Sequence, residues 1–347
     1  MLDKILAQLT ADISKNNVQQ EMSGKLNRAV TAEAGASLAA LASTAPVLQL
    51  NTTPAPIDVS QYKNPFGPAN PNGDYISLFK FVSLNNDVPG FTRFYAPSGR
   101  RLDSTYQSVV GGASVVPSAT FTNAAFAGAG AALTQAKLAA LDGTGNSWYP
   151  VYANPIDWYD LVTQEQNLFA TEIDLTQPQT SFSNQYVVID DGTGSELTWN
   201  QRDIAGNPAG IALSSNTKVN KIRFKFMQVQ LNRPWFNLEL FSMGGWSLPG
   251  QQPGFVSSGS LAGNNGVLPL YTTSFIIGTD LEIEADLDSS DRSLVAKTLN
   301  ADGIINLGPF AIDTYQPNQA SSDRLTNGGY FIIAWISQLV AVAAQPA

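Results

Sequence analysis

The sequence predicts a mainly β protein: a sandwich or jelly-roll-like body with a few short helices, preceded by an N-terminal helical arm. Three observations carry that expectation. Several segments alternate apolar and polar residues with period two, the pattern of a strand with one buried face. Turn-forming residues are spread along the chain, with 28 Gly and 20 Pro beside abundant Asn, Gln, Ser and Thr. The N-terminal stretch instead repeats its apolar residues every three or four positions, as an amphipathic helix does.

That stretch begins with a stripe formed by Leu2, Ile5, Leu6, Leu9 and Ile13. A second stripe runs through Met22, Leu26, Val30, Ala34, Leu38 and Leu41, and Asn16-Asn17 between them suits a break or an N-cap. Residues 1–45 therefore read as an arm. Its apolar side can cover the chain's own sheet or dock on a neighbouring subunit. The next segment, 46–74, favours the second placement. It contains Pro46, Pro54, Pro56, Pro65, Pro68 and Pro71, and is expected to run extended as a tether, forming neither a helix nor a central strand. On this reading, deleting residues 1–45 leaves a folded, monomeric body.

Residues 75–347 form the β-rich body, with possible subdomain breaks near 142–155 or 200–217. Tyr75–Leu84, Phe91–Tyr95 and Thr105–Phe121 read as strands, with Gly111-Gly112 as a turn or bulge. Leu133–Leu141 reads as a short helix. Pro155–Phe169 reads as another, with Pro155 in its first turn. Asp190–Ser195 looks like the turn of a hairpin joining Tyr186–Ile189 to Leu197–Trp199.

Lys218–Trp246 is the organising stretch. Ile222, Phe224 and Phe226 alternate with Lys221, Arg223 and Lys225, after which the apolar parity passes to Met227, Val229 and Leu231. A β-bulge near Phe226–Met227 is the economical reading of that switch. Pro234 ends the strand and opens a short helix, stopped by Gly244-Gly245. Arg233, Trp235 and Phe236 head the densest aromatic stretch, which reads as a core or inter-layer anchor. Ser247–Gly266 is a long loop, of a length that is often functional. Leu268–Leu287 is a strand whose outer face carries Glu282, Glu284 and Asp286. The basic and acidic rows are expected to meet, within a sheet or across a subunit boundary. Ile304–Ile312 and Tyr330–Ala343 close the body, and the last segment, apolar on both faces, suits a central strand.

Composition bounds the chemistry. Charged residues make up only 14% of the chain, against about 25% in a typical protein. A weakly charged surface lowers the barrier to self-association. The net charge is −9 and basic residues form no long block, so direct nucleic-acid binding is not expected. With no Cys and no His, disulfides, thiolate nucleophiles, Cys/His zinc sites and imidazole-based triads are excluded. Asp190, Asp191 and Glu196 do not fit the spacing of a calcium loop. GAGAA at 127–131 lacks the Lys and Ser/Thr of a phosphate loop. No metal or cofactor is expected.

The sequence also shows no signal peptide and no apolar run long enough to span a membrane. That points to the cytoplasm, or to a particle assembled there. The function expected is a non-catalytic structural subunit of a capsid-like, shell or filamentous particle, whose partners are copies of itself. A membrane-active or ligand-binding toxin-like β module is the first alternative. The second is a carboxylate-dependent enzyme acting on glycans. Asp157, Asp160, Glu165 and Glu172 would then work near Trp148, Tyr149, Tyr152, Trp158 and Tyr159, although Asp157 and Asp160 equally suit a helix's first turn.

Overall fold

Two long antiparallel strands carry the molecule: β10 (Lys218–Asn232) and β12 (Leu270–Asp286). The computed structural model describes residues 1–22, 45–115, 123–142, 149–178, 186–194, 196–202, 208–301, 303–318 and 321–341. The free edge of β10 pairs with β7 (Phe169–Asp174) along Lys221–Phe226 and with β6 (Tyr152–Asn154) along Gln230–Asn232. The other edge of β12 pairs with β16 (Asp323–Asn327) at one end and β17 (Phe331–Leu339) at the other. β15 (Thr314–Gln316) lies outside β16, while β1 (Val47–Pro56) and then β3 (Phe94–Tyr95) lie outside β17, completing nine strands among the described residues. β17 is buried along nearly its whole length and sits inside the sheet, as its two apolar faces require.

A second sheet has four strands, in the order β14 (Phe310–Ile312), β13 (Ile304–Leu307), β8 (Thr198–Arg202) and β9 (Pro208–Ala212). It faces the large sheet across the main core. Trp199, Ile305, Leu307, Phe310 and Ile312 pack there with Ile222, Phe224, Phe226, Leu281 and Ile283. The protein is thus mainly β and sandwich-like. Helix α1 (Leu2–Met22) enters this core. The reverse face of the large sheet is also covered: Met227, Val229, Phe275, Ile277 and Trp335 lie beneath helix α2 (Tyr75–Leu84) and residues 151–161. A separate cluster joins helices α3 (Leu102–Gly112), α4 (Asn123–Asp142) and α5 (Glu239–Ser242) to the 246–268 loop. Helix α6 (Ser289–Asn300) follows β12. Small pairs, β2 (Asp87–Pro89) with β4 (Pro97–Arg101) and β5 (Ser114–Val115) with β11 (Trp246–Ser247), edge this part. No helix among the described residues is long and apolar enough to cross a membrane.

Several expectations need correction. The parity switch at Phe226–Met227 is not a bulge, because Phe226 and Met227 pair in regular register with Gly278 and Ile277. It arises because each face of the sheet has its own core: Phe226 points into one and Met227 into the other. The register shifts lie elsewhere: at Asn220 of β10, and on β12, where Asp280 and Leu281 oppose the single residue Phe224. Asp280 takes φ 52°, a conformation that Asp tolerates better than β-branched residues do.

Tyr75–Leu84 is a helix rather than a strand. The Asp74 carboxylate accepts hydrogen bonds from the Ile76 and Ser77 amides, capping its start. Leu78, Phe81 and Val82 then fall on one buried face at helical spacing. Residues 102–112 are helical for the same reason, with Leu102, Tyr106, Val109 and Val110 buried; 116–121 lie outside the described residues. The helix expected at 133–141 is longer, running from Asn123 to Asp142 as α4.

Pro155–Phe169 is not a continuous helix. It runs through turns that end in a 3-10 segment at Glu165–Asn167. The Asp160 carboxylate accepts from the Thr163 amide and hydroxyl, a local bond that competes with helix continuation. The expected hairpin also fails: Val187 bridges Val47, while Thr198–Arg202 joins the second sheet. In the segment read as a tether, Val47–Leu50 is a strand between β17 and β3. Its four residues are apolar apart from Gln49 and lie between Pro46 and Pro54. Pro54 falls where the pairing shifts register. Parts of both candidate breaks, 143–148 and 203–207, lie outside the described residues.

Candidate functional site

The basic and acidic rows stand side by side on β10 and β12. Lys221 pairs with Glu284, Arg223 with Glu282 and Lys218 with Asp286 in the ladder. The Arg223 guanidinium donates to Glu282 at 2.9 Å and to Glu284 at 2.6 Å, and reaches across the other edge to Glu172 of β7. Lys221 approaches Glu172 at 3.4 Å, Lys225 approaches Asp280 at 3.0 Å, and Arg324 of β16 closes on Glu282. Hydrogen bonding from Arg223 holds the Glu172 carboxyl below the usual carboxylate range, and Asp280 raises the Lys225 ammonium. Asp286 is lowered by its hydrogen-bonded neighbours Asn220 and Ser322. The sequence marks Glu172 only for its carboxyl chemistry and does not single out Arg324 at all; only the sheet order, which sets β7 and β16 beside β10 and β12, brings them into the network.

These paired side chains keep 21–54% of their surface in solvent, so the ladder aligns strands more than it stabilises them. Arg223→Glu would set a fourth carboxylate among Glu172, Glu282 and Glu284. It should lower stability by roughly 2 kcal/mol in chemical denaturation. Adding Glu284→Lys should recover part of that loss, about 0.5–1 kcal/mol of coupling. Strictly additive effects would contradict the ladder.

Arg233, Trp235 and Phe236 form an internal knot. The Arg233 guanidinium donates to the Thr272 carbonyl and hydroxyl and to the Asn85 carbonyl, tying β10 to β12 and to the end of α2. No carboxylate pairs with it among the described residues, and its Nε has no partner. Burial therefore pulls its pKa down to about 10, and it remains charged at neutral pH. Trp235, 1% exposed, lies 5.0 Å from Tyr149, 5.5 Å from Phe236 and 5.9 Å from Tyr106, measured between ring centres. Its indole N–H donates to the Pro150 carbonyl. Pro234 opens a turn rather than a helix. The helix starts at Glu239, whose amide is held by the Asn237 side chain.

The N-terminal stripe is also internal. Leu2, Ile5, Leu6, Leu9 and Ile13 are 0–3% exposed in the chain's own core, so the first part of the expected arm belongs to the body. Met22 ends α1, while Leu26 and Val30 lie outside the described residues. Among the carboxylate and aromatic candidates, Trp158 and Tyr149 are core side chains, Asp160 serves its local turn and Glu172 belongs to the charge ladder. Trp148 lies outside the described residues.

The surface that most departs from an ordinary exterior is the outer face of α2. On α2, Tyr75, Ile76 and Phe79 are 55%, 66% and 58% exposed, while the opposite side of the helix is buried. Phe66 stacks on Tyr75 at 4.2 Å and extends the apolar face, and Ile156 is a further exposed apolar side chain on the segment covering this side. Both charge signs lie nearby: Lys80 acts on Asp58 and Asp74, and Lys63 on Asp160. Asp74 followed by Ser77 is the cap signal that could have revealed the helix. Comparison with known protein families, curated proteins and solved structures finds no match to this chain.

Proposed function

We propose that this chain is a non-catalytic structural subunit that associates with copies of itself, and that the outer face of α2 is where it does so. The exposed run Tyr75, Ile76 and Phe79 carries the reading. Large apolar side chains clustered on one helix face mark a surface that another molecule covers. A second copy fits because the rim holds both charge signs, so two such faces can meet without a like-charge clash. A chain with only 14% charged residues adds little repulsion elsewhere.

Light scattering after size exclusion tests the proposal. The full chain should run as an oligomer or larger particle. Ile76→Asp combined with Phe79→Asp should release monomers with unchanged circular dichroism, because both side chains already face outward. A wild-type chain that stays monomeric at its highest soluble concentration would refute self-assembly through this face. If that monomer floated with neutral lipid vesicles, and the double variant did not, the membrane-active reading would replace it.

A further inference from the structure

The open groove between α3 and the 248–267 loop has a volume of about 650 Å³, within the usual range of roughly 300–1,000 Å³ for ligand pockets. Its walls differ in chemistry. Along α3 stand the hydroxyls of Ser104 and Ser108, and the facing loop contributes Leu248, Phe255 and Val267. Its two ends differ as well. Arg100 and Arg101 lie at the start of α3, where Arg101 is committed to Asp103 at 2.9 Å and Arg100 engages no carboxylate among the described residues. At the other end α3 closes on the loop: a Cβ on Gly112 would stand 3.3 Å from Leu248 Cδ2. The eleven residues of α3 make this groove about 16 Å long. Phe255, 38% exposed, remains open to a ligand.

We infer that this groove binds an elongated amphipathic anion, an acyl carboxylate, with its head group on Arg100 and its chain along Leu248, Phe255 and Val267. The basic end supplies the counter-charge, the loop wall takes the hydrocarbon, and the hydroxyls line the solvent side. The inference stands apart from self-assembly, which uses a different helix.

Calorimetric titration of the full chain with octanoate, decanoate and dodecanoate, each below its micelle concentration, tests it. A single site is expected, with affinity rising about fourfold for each methylene that stays buried. Methyl dodecanoate, equally long but neutral, should bind at least about tenfold more weakly, and Arg100→Glu should cost dodecanoate about tenfold. Ser108→Trp, at an exposed position on the groove wall, should block binding. Both variants should keep the wild-type unfolding midpoint. Equal affinity for the ester, no dependence on chain length, unchanged binding by the Arg100 variant, or no saturable binding at all would overturn the inference.

Discussion

Deleting residues 1–22 should unfold the body rather than release a folded monomer. Ile5, Leu6, Leu9 and Ile13 are fully buried and Leu2 nearly so, among Ile222, Phe226, Ile283 and Phe331. Emptying one such site typically costs about 2–5 kcal/mol. Removing five exceeds the whole stability of most domains, about 5–15 kcal/mol. Polar contacts anchor the same helix. The Thr171 hydroxyl donates to buried Asp12 at 2.6 Å, Lys4 donates to the carbonyls of Leu175 and Gln177 at 2.8 and 2.7 Å, and Arg93 pairs with Asp3. Losing α1 would strand those groups at the edge of an opened core. Circular dichroism and urea titration of the truncated chain provide the check. A cooperative transition with native β signal would show that the main core closes without α1. Leu6→Ala alone gives the graded version, with an expected loss of about 2–5 kcal/mol.

Trp235→Ala should cost about 3–5 kcal/mol, the range for emptying a large aromatic site. The indole is enclosed by Tyr106, Tyr149 and Phe236, in the cluster that also holds Phe241 and Trp246. The change also leaves the Pro150 carbonyl without its donor. Trp235→Phe separates the two contributions: it keeps most of the ring packing and should lose about 1–3 kcal/mol, chiefly the hydrogen bond. Chemical denaturation measures both. A loss below about 1 kcal/mol for the alanine variant would mean that the site collapses around the gap and that Trp235 is no anchor.

The sequence by itself determined the features that rest on a single clear period. Lys221, Arg223 and Lys225 against Ile222, Phe224 and Phe226 can only be a strand with one polar face. Glu282 to Asp286 reads the same way. Leu2 to Ile13 can only be a helix with one apolar side. The apolarity of both faces of Tyr330–Ala343 places that segment inside a sheet, where its strand Phe331–Leu339 lies.

Tertiary structure decided the rest, for two physical reasons. A segment such as Tyr75–Leu84 is apolar at both periods, so its local pattern allows strand or helix. The Asp74 cap and the groove over Phe275 and Trp335 select the helix, and its surplus apolar side chains are left facing outward. An apolar stripe, moreover, states that a partner exists without identifying it. Burial is non-directional, roughly proportional to the area removed from water, and so a neighbouring subunit would satisfy Leu2 to Ile13 as well as the chain's own sheet does. Only the tertiary structure, which lays α1 against β7 and β1 of the large sheet, assigns that stripe to the core of its own chain.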